Sequence, residues 1–331
     1  MSNHVLKATA DTVHLGGFDP FLKPALWIQS GDRVEVETFT GYALVSQAPA
    51  HFVPSELKTI VETLAPERKV GPGPHLLTGP IAVEGSEPGD VLEIRLEQIW
   101  PRLPVGFNAL RSGWGVLSQQ FTQARLRFID LDLENQVAEF PPNSGIHLPL
   151  KPFFGIIGVA TDELARSSVP PGVYGGNLDN RHLQAGSRLF LPVWTSGGLL
   201  SLGDGHSMQG DGEVCVTALE TSMNGRIQVL LHKQAELAEQ GIQLPAPMAE
   251  TADHWITMGF GETLDQALEM ALEKMVAFLS DHTALDPESA YVLCSLGVDF
   301  HITQAVNAPQ RGVHGLLPKT LVRELNLLNW D

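Results

Sequence analysis

IAVEGSEPGDVLEIRLEQIW, residues 81–100, sets the fold class of this chain. It reads as a strand, a Gly and Pro turn closing on Gly89 and Asp90, and a second strand whose apolar positions include Val91, Ile94 and Leu96. ALWIQSGDRVEVE at 25–37 repeats the arrangement, with Gly31-Asp32 in the turn and Val34 and Val36 alternating after it. AGSRLFLPV at 185–193 gives a shorter version in which Gly186 opens a strand. Three such pieces point to a duplicated β architecture. The 32 glycines and 23 prolines, scattered along the chain, fit many short strands and turns.

Helices are fewer. PSELKTIVETL at 54–64 places Leu57, Ile60, Val61 and Leu64 at helical spacing, with Ser55 as the expected cap. A longer helix is predicted from Thr263, where Thr263 and Gln266 form a capping box, to about His282. A short one follows, capped by Asp286 with Pro287 at its first position. GVDFHITQAV at 297–306 then alternates Val298, Phe300 and Ile302 against Asp299, His301 and Thr303, as a strand with one wet face would. The expectation is an α+β, β-rich protein, with a β-sandwich (jelly-roll-like) core and a C-terminal helical hairpin. Residues 1–232 form the β-rich part carrying most of the site and 251–331 an α+β part packed on it, with 233–250 connecting them in one integrated catalytic unit.

The chain has 331 residues, enough for one large domain or two modest ones, and 43% of them are hydrophobic, enough to fill a core. Its formal charge of −17 repels phosphate backbones and anionic lipid heads, so neither nucleic acid nor a membrane is an expected partner. Cys215 and Cys294 lie far apart, which argues against a disulfide framework and for a reducing compartment. No signal-peptide pattern opens MSNHVLKATADTVH, and no apolar stretch reads as long enough to span a bilayer, so the expected location is cytoplasmic.

GDGHSMQGDGE at 203–213 buries no core of its own: Asp204, His206, Asp211 and Glu213 offer oxygens and an imidazole nitrogen among four glycines. GPGPHLLTGP at 71–80 holds His75, and VYGGNLDNRHLQAG at 173–186 holds Asn177, Asp179, Asn180 and His182. SGIHLPLKPFFGIIGVA at 144–160 sets Lys151 between apolar runs. This residue mix suits a divalent metal, zinc before calcium, and a D-x-H pair sends Asp204 and His206 to one side of an extended segment. His75 and Asp179 complete the expected shell. Each residue alone also reads as an ordinary turn residue. EVCVTALE, from Glu213, reads as an alternating strand with Glu213, Cys215 and Thr217 on one face. Two mechanisms follow: Glu213 as general base on a metal-bound water, or Cys215 as nucleophile assisted by Glu213 and Lys151. Cys215 equally reads as a small buried hydrophobe. His14, in VHLGGFD, and Asn177 are the expected substrate contacts.

YGGNLDNRHLQAGSRLFLPV followed by GGLLSLGDGHSMQGDGEVCVTALE resembles the central signature of the acetamidase/formamidase family. HLLTGPIAVEGSEPGDVLEIRL, LPLKPFFGIIGVA, VHLGGFDPFLKPAL and VDFHITQAVN are similar to that family in the same order, so the likeness covers about His14 to Lys319. The resemblance implies a cytoplasmic hydrolase of short linear amides, β-rich, metal-binding and homo-oligomeric, releasing carboxylate and ammonia. It implies ligand or substrate roles at His75, Asp179, Asp204 and His206, with Glu213 as the following acid and Cys215 also matching the motif; for amide hydrolysis Lys151 is the expected group to steady the oxyanion. Val216, His182 and Leu15 depart from what the family leads one to expect, which bears on the acyl group accepted. The rival reading is a non-catalytic β-sandwich that binds calcium and a carbohydrate or peptide.

Overall fold

The computed structural model describes residues 1–162 and 164–323. Among them, two large sheets hold most of the strands. The first has nine strands, in the order Asn3–Leu6, Arg33–Glu37, Met223–His232, Val91–Pro101, Ser187–Pro192, Met248–Glu250, His254–Gly261, Arg311–Pro318 and Asp299–Gln304. The second, twelve-stranded, is centred on Leu200–Met208, which pairs with Phe153–Gly158, Leu76–Val83 and Leu219–Glu220. The chain is β-rich with few helices, as its sequence predicts.

The repeated strand–turn–strand pieces explain how the sheets come together. In 25–37 the first strand, Leu26–Ile28, joins the second sheet by parallel pairing with Ile81–Val83, whereas Arg33–Glu37 joins the first. In 81–100 the same crossing recurs, from Leu76–Val83 in the second sheet to Val91–Pro101 in the first. At each crossing an aspartate caps the turn: Asp32 accepts from the Gln29 amide at 3.0 Å and Asp90 from the Glu87 amide at 2.9 Å. Side chains from both sheets therefore share one core, with Val34, Ile94, Leu189 and Ile227 from the first against Leu77, Ile156 and Leu202 from the second.

The helices are α1 (Ser55–Thr63), α2 (Gln234–Glu239), α3 (Leu264–His282) and α4 (Pro287–Gly297). The strand period of two sends Leu189 and Leu191 into the shared core and Phe190 to the opposite face, where it meets Trp255, Phe278 and Leu279 under α3. Thr263 and Gln266 close the capping box that opens α3, and the Asp286 side chain accepts from the Ser289 amide at the start of α4. Strand 254–261 lets α3 lie close because Gly259 has no side chain: a Cβ there would stand 2.1 Å from the Ala267 carbonyl oxygen.

Three local expectations need correction. Ser55 is the first helical residue of α1 rather than its cap, which is Pro54, and its hydroxyl turns to Glu56. Residues 213–218 are a turn, not a strand; only Leu219–Glu220 are extended, because Glu213 and Val216 adopt φ of 42° and 84°. At the start of Asp299–Gln304 the alternation holds, with Val298 before it buried, Phe300 packed on the core and Asp299 exposed, but it inverts at Ile302, exposed, and Thr303, buried, where the pairing shifts register. The expected connecting segment, residues 233–250, itself contributes a strand. Met248–Glu250 pairs with Ser187–Pro192 on one side and His254–Gly261 on the other, so the nine-stranded sheet runs through that boundary.

Candidate functional site

The glycine-rich stretch opened by Gly203 is a strand through Met208, not a tight turn. Its glycines answer to close packing: a Cβ at Gly203 would lie 2.7 Å from the Leu76 carbonyl oxygen, and one at Gly205 2.4 Å from that of Thr221. Between them Asp204 and His206 reach one face, as the D-x-H spacing predicts. Three neighbours add to that face. Asp179, in the loop after Gly175–Asn177, donates its amide to the Gly155 carbonyl at 3.0 Å. Glu220 stands opposite His206 in the strand register. Glu213 comes in from the turn that links the two strands. The face has room because position 155 is glycine: a Cβ there would sit 2.6 Å from Asp179 Oδ1 and 2.8 Å from His206 Cε1.

Around His206 Nε2 the carboxylate oxygens stand at 3.2 Å (Glu220), 3.5 Å (Asp204) and 3.8 Å (Asp179). His75 Nε2 is 3.8 Å from Asp204, while its Nδ1 shares a 2.9 Å hydrogen bond with Ser168. On the far side of the imidazole, His206 Nδ1 meets Gln209 Oε1 at 2.9 Å, and the Gln209 amide donates to the Asp179 carbonyl at 2.7 Å. That pairing fixes the ring and leaves Nε2 facing the carboxylates. Asn307 Nδ2 donates to Asp179 Oδ2 at 2.5 Å.

Four carboxyl groups and one imidazole are buried together here, a charge excess that water does not dissipate. Burial pushes the Asp179 carboxyl up to about 6, with the His206 charge opposing and Asp204 adding. Burial and then the Asp179 charge push Glu213 well above the usual carboxylate range. Burial raises Glu220 to about 7, with His206 opposing and Asp204 adding. For Asp204, burial acts upward but is outweighed by His75 and His206, which hold it well below the usual range. For His206, burial acts downward and is overcome by Glu220 and Asp204. Asp179 Oδ1, His206 Nε2 and Glu213 Oε2 are buried with no hydrogen-bond partner. Donor atoms from Asp179, Asp204 and His206 lie within 4.8 Å of one another, as do donors from His206, Glu213 and Glu220. A mixed oxygen and imidazole set with unspent lone pairs in a cradle that a Cβ would fill fits a divalent cation.

A cavity of about 310 Å³ opens onto this cluster. Of the residues expected from sequence, His75, Asn177, Asp179, Asp204 and Glu213 line it, and His206 lies directly behind Asp204. Phe39, Tyr42, Leu44, Phe107 and Trp114 supply apolar wall. The Asn177 side chain donates to the Val169 carbonyl at 3.0 Å and keeps its Oδ1 unpartnered.

Three expected residues fall elsewhere. Lys151 is exposed and does not line the cavity; its amide donates to Ser207 in the ladder while its side chain leaves the sheet. His14 is buried and does not line the cavity; its Nε2 is 2.9 Å from Ser201 Oγ, and burial followed by the Arg68 charge lowers its pKa to about 3. Cys215 lines a separate apolar hollow with Leu110, Trp114 and Phe121. Its shared face with Glu213 depended on a strand that the turn replaces. Glu220, Gln209 and Asn307 were not anticipated. Glu220 was hidden at the end of TALE, since the alternation counted from Glu213 loses phase across the turn.

Comparison with known proteins gives two matches to the acetamidase/formamidase family, over residues 72–166 and 160–323. The fold matches the crystal structure of a predicted acetamidase/formamidase from the thermophile Thermoanaerobacter tengcongensis, with TM-score 0.82 and 30% identity over 99% of this chain and 100% of that one. It also matches that of an acetamidase from Bacillus halodurans, with TM-score 0.81 and 28% identity over 97% and 99%. A formamidase of Methylophilus methylotrophus is 27% identical over 71% of this chain and 74% of its own length. The curated relatives are matched over about half to three quarters of their lengths, from 49% to 74%.

Proposed function

The chain belongs to the acetamidase/formamidase family, and from that membership and the site above we propose that it hydrolyses the C–N bond of short linear amides, giving carboxylate and ammonia. The observation that carries the reading is the convergence of three buried atoms without hydrogen-bond partners, Asp179 Oδ1 and Glu213 Oε2 from residues lining one cavity and His206 Nε2 just behind Asp204 in the same wall. Asp179, Asp204 and His206 are the residues that would hold a divalent cation, with His75 beside Asp204. We take the cation as zinc before calcium because an imidazole shares the set. Bound there, such a cation polarises a carbonyl and acidifies water.

An unactivated amide resists hydrolysis because nitrogen donates into the carbonyl and amide anion is a poor leaving group. This chain's residues meet the second difficulty. The Glu213 carboxyl faces the cavity, takes the proton of the attacking water, and returns it to the departing nitrogen. Asn177 Oδ1, free of any partner, accepts from the substrate NH₂ and orients it. The Phe39, Tyr42 and Phe107 wall excludes water and seats the acyl group. Lys151 and Cys215 have no part in this scheme, since neither lines the cavity.

Ammonia release from a panel of small amides, before and after chelation and again after zinc is restored, tests the reading. Metal-restored turnover supports it. A metal-loaded protein inert across the panel, yet binding carbohydrate or peptide, would favour a non-catalytic calcium-binding module instead. We read the two sheets with their shared core as a β-sandwich bearing a helical hairpin, and the chain as one catalytic unit. A cytoplasmic setting is supported by two unpaired cysteines, and a homo-oligomer by the exposed Val116, Leu117, Phe121 and Val214. No helix among the described residues is long and apolar enough to cross a membrane.

A further inference from the structure

We propose that the chain binds a second, transition-type divalent cation, distinct from the one at Asp179, Asp204 and His206, at a site built by His182, Asp211 and His314 with His301 beside it. The three named residues each offer a donor atom, and these atoms lie within 4.8 Å of one another. They come from three segments far apart in sequence: the turn after Asn180, the turn after Met208, and the strand Arg311–Pro318.

His314 is fully buried, and its Nδ1 shares a 2.7 Å hydrogen bond with Thr303 Oγ1. Its Nε2 is left with no partner, as are His182 Nε2 and Asp211 Oδ1. Three unsatisfied donor atoms in one place are costly unless something binds them. The Thr303 bond locks the imidazole with Nε2 outward, as metal-binding histidines are usually held. His301 stacks on His314 with ring centroids 5.5 Å apart, and its Nδ1 is 3.3 Å from Asp211 Oδ2, within reach of a fourth ligand position. Imidazoles outnumber carboxylates here, so zinc or a similar borderline ion is favoured over calcium, which takes oxygen ligands. Entry from solvent is open, with the His301 side chain 40% and that of Asp211 27% exposed.

The site would act as a clamp. Asp211 is two residues from Glu213, and His182 three from Asp179, so a cation joining them fixes both turns that bring those acids to the cavity. Strand Asp299–Gln304 belongs to the same unit: the Gly212 amide donates to the Thr303 carbonyl at 3.1 Å, and the Ala305 amide to that of Gly212 at 3.0 Å.

The test is metal counting rather than turnover. Full-length protein is stripped with chelator, dialysed against zinc alone and analysed for bound metal, then reloaded with cobalt for its visible spectrum. Wild type should hold about two equivalents. His182→Gln and Asp211→Asn should each lower this to about one and remove part of the cobalt absorption, with circular dichroism unchanged. Asp204→Asn should remove the other equivalent. These partly exposed positions are chosen because His314→Ala empties a buried space and can unfold the chain. The inference is overturned if wild type holds one equivalent or none, or if His182→Gln and Asp211→Asn leave the count unchanged. Failure of the amidase reading is seen separately, as absent ammonia release from protein carrying its full metal complement.

Discussion

Asp179, Asp204 and Glu213 have φ of 46°, 53° and 42°, a left-handed conformation that a residue with a side chain adopts at a cost of roughly 1–3 kcal/mol. All three are acids of the candidate site, and the surrounding sheet holds them there. Strain of this kind is invisible to a periodicity count, which treats each residue as helical or extended. Asp204 and His206 were legible from their spacing of two because the strand around Asp204 runs on despite its left-handed backbone, while Glu220 was lost behind a turn read as strand. Glu213→Gln should keep its metal, measured by elemental analysis, while ammonia release falls by a factor on the order of 10² to 10⁴. Cys215→Ala should leave the rate within about twofold of wild type, because the thiol contacts Asn108 and Thr217 rather than the cavity. Loss of turnover in the cysteine variant would return the nucleophile to Cys215.

At the scale of elements, the starts of α3 and α4 were legible because their signals are local, whereas Ser55 was read as a cap and α2 was not read at all. Thr263 with Gln266, and Asp286 with Pro287, fix helix starts by contacts within a few residues. The Gly-Asp turns were legible as turns, but their destination was not: each carries the chain from one sheet to the other, a pairing decided by residues dozens of positions away. The seat of α3 likewise depends on a distant partner. Replacing Gly259 with alanine would drive a methyl into the Ala267 carbonyl and force the helix outward. Gly259→Ala should cost on the order of 1–3 kcal/mol in urea unfolding, whereas Gly210→Ala, where nothing lies within 4 Å of the added atom and the backbone is not left-handed, should cost less than half as much. Equal effects would mean that α3 is not seated by this contact.

For the whole molecule, a buried charge network ties the first sheet to the segment beyond residue 250. Arg188, fully buried, bonds Glu250 and stands 3.1 Å from Glu93; Glu93 in turn meets His232 and Arg95, each at 2.6 Å, and Lys319 meets Glu250 at 2.5 Å. Burial alone would raise the Glu93 pKa, but His232, Arg95 and Arg188 outweigh it and bring it down to about 2. A carboxyl lowered on folding stabilises above its unfolded pKa, and that stability is lost as pH falls through the folded value. The Glu93 contribution, on the order of 3 kcal/mol, should therefore be complete at pH 7 and decline from about pH 4.5 toward 2. Urea unfolding of wild type and Glu93→Gln should show a gap at neutral pH that narrows across that window; a constant gap would refute the linkage.

Because the nine-stranded sheet passes through residues 248–250 without a break, no shortened version of this chain ending before them would be a self-sufficient enzyme. Such a fragment would expose the backbone of residues 188–190 as a raw margin and strand the Arg188 guanidinium without Glu250. Copies of it would zip together edge to edge, so protein fusions and split reporters belong at the amino terminus or in loops rather than at this junction.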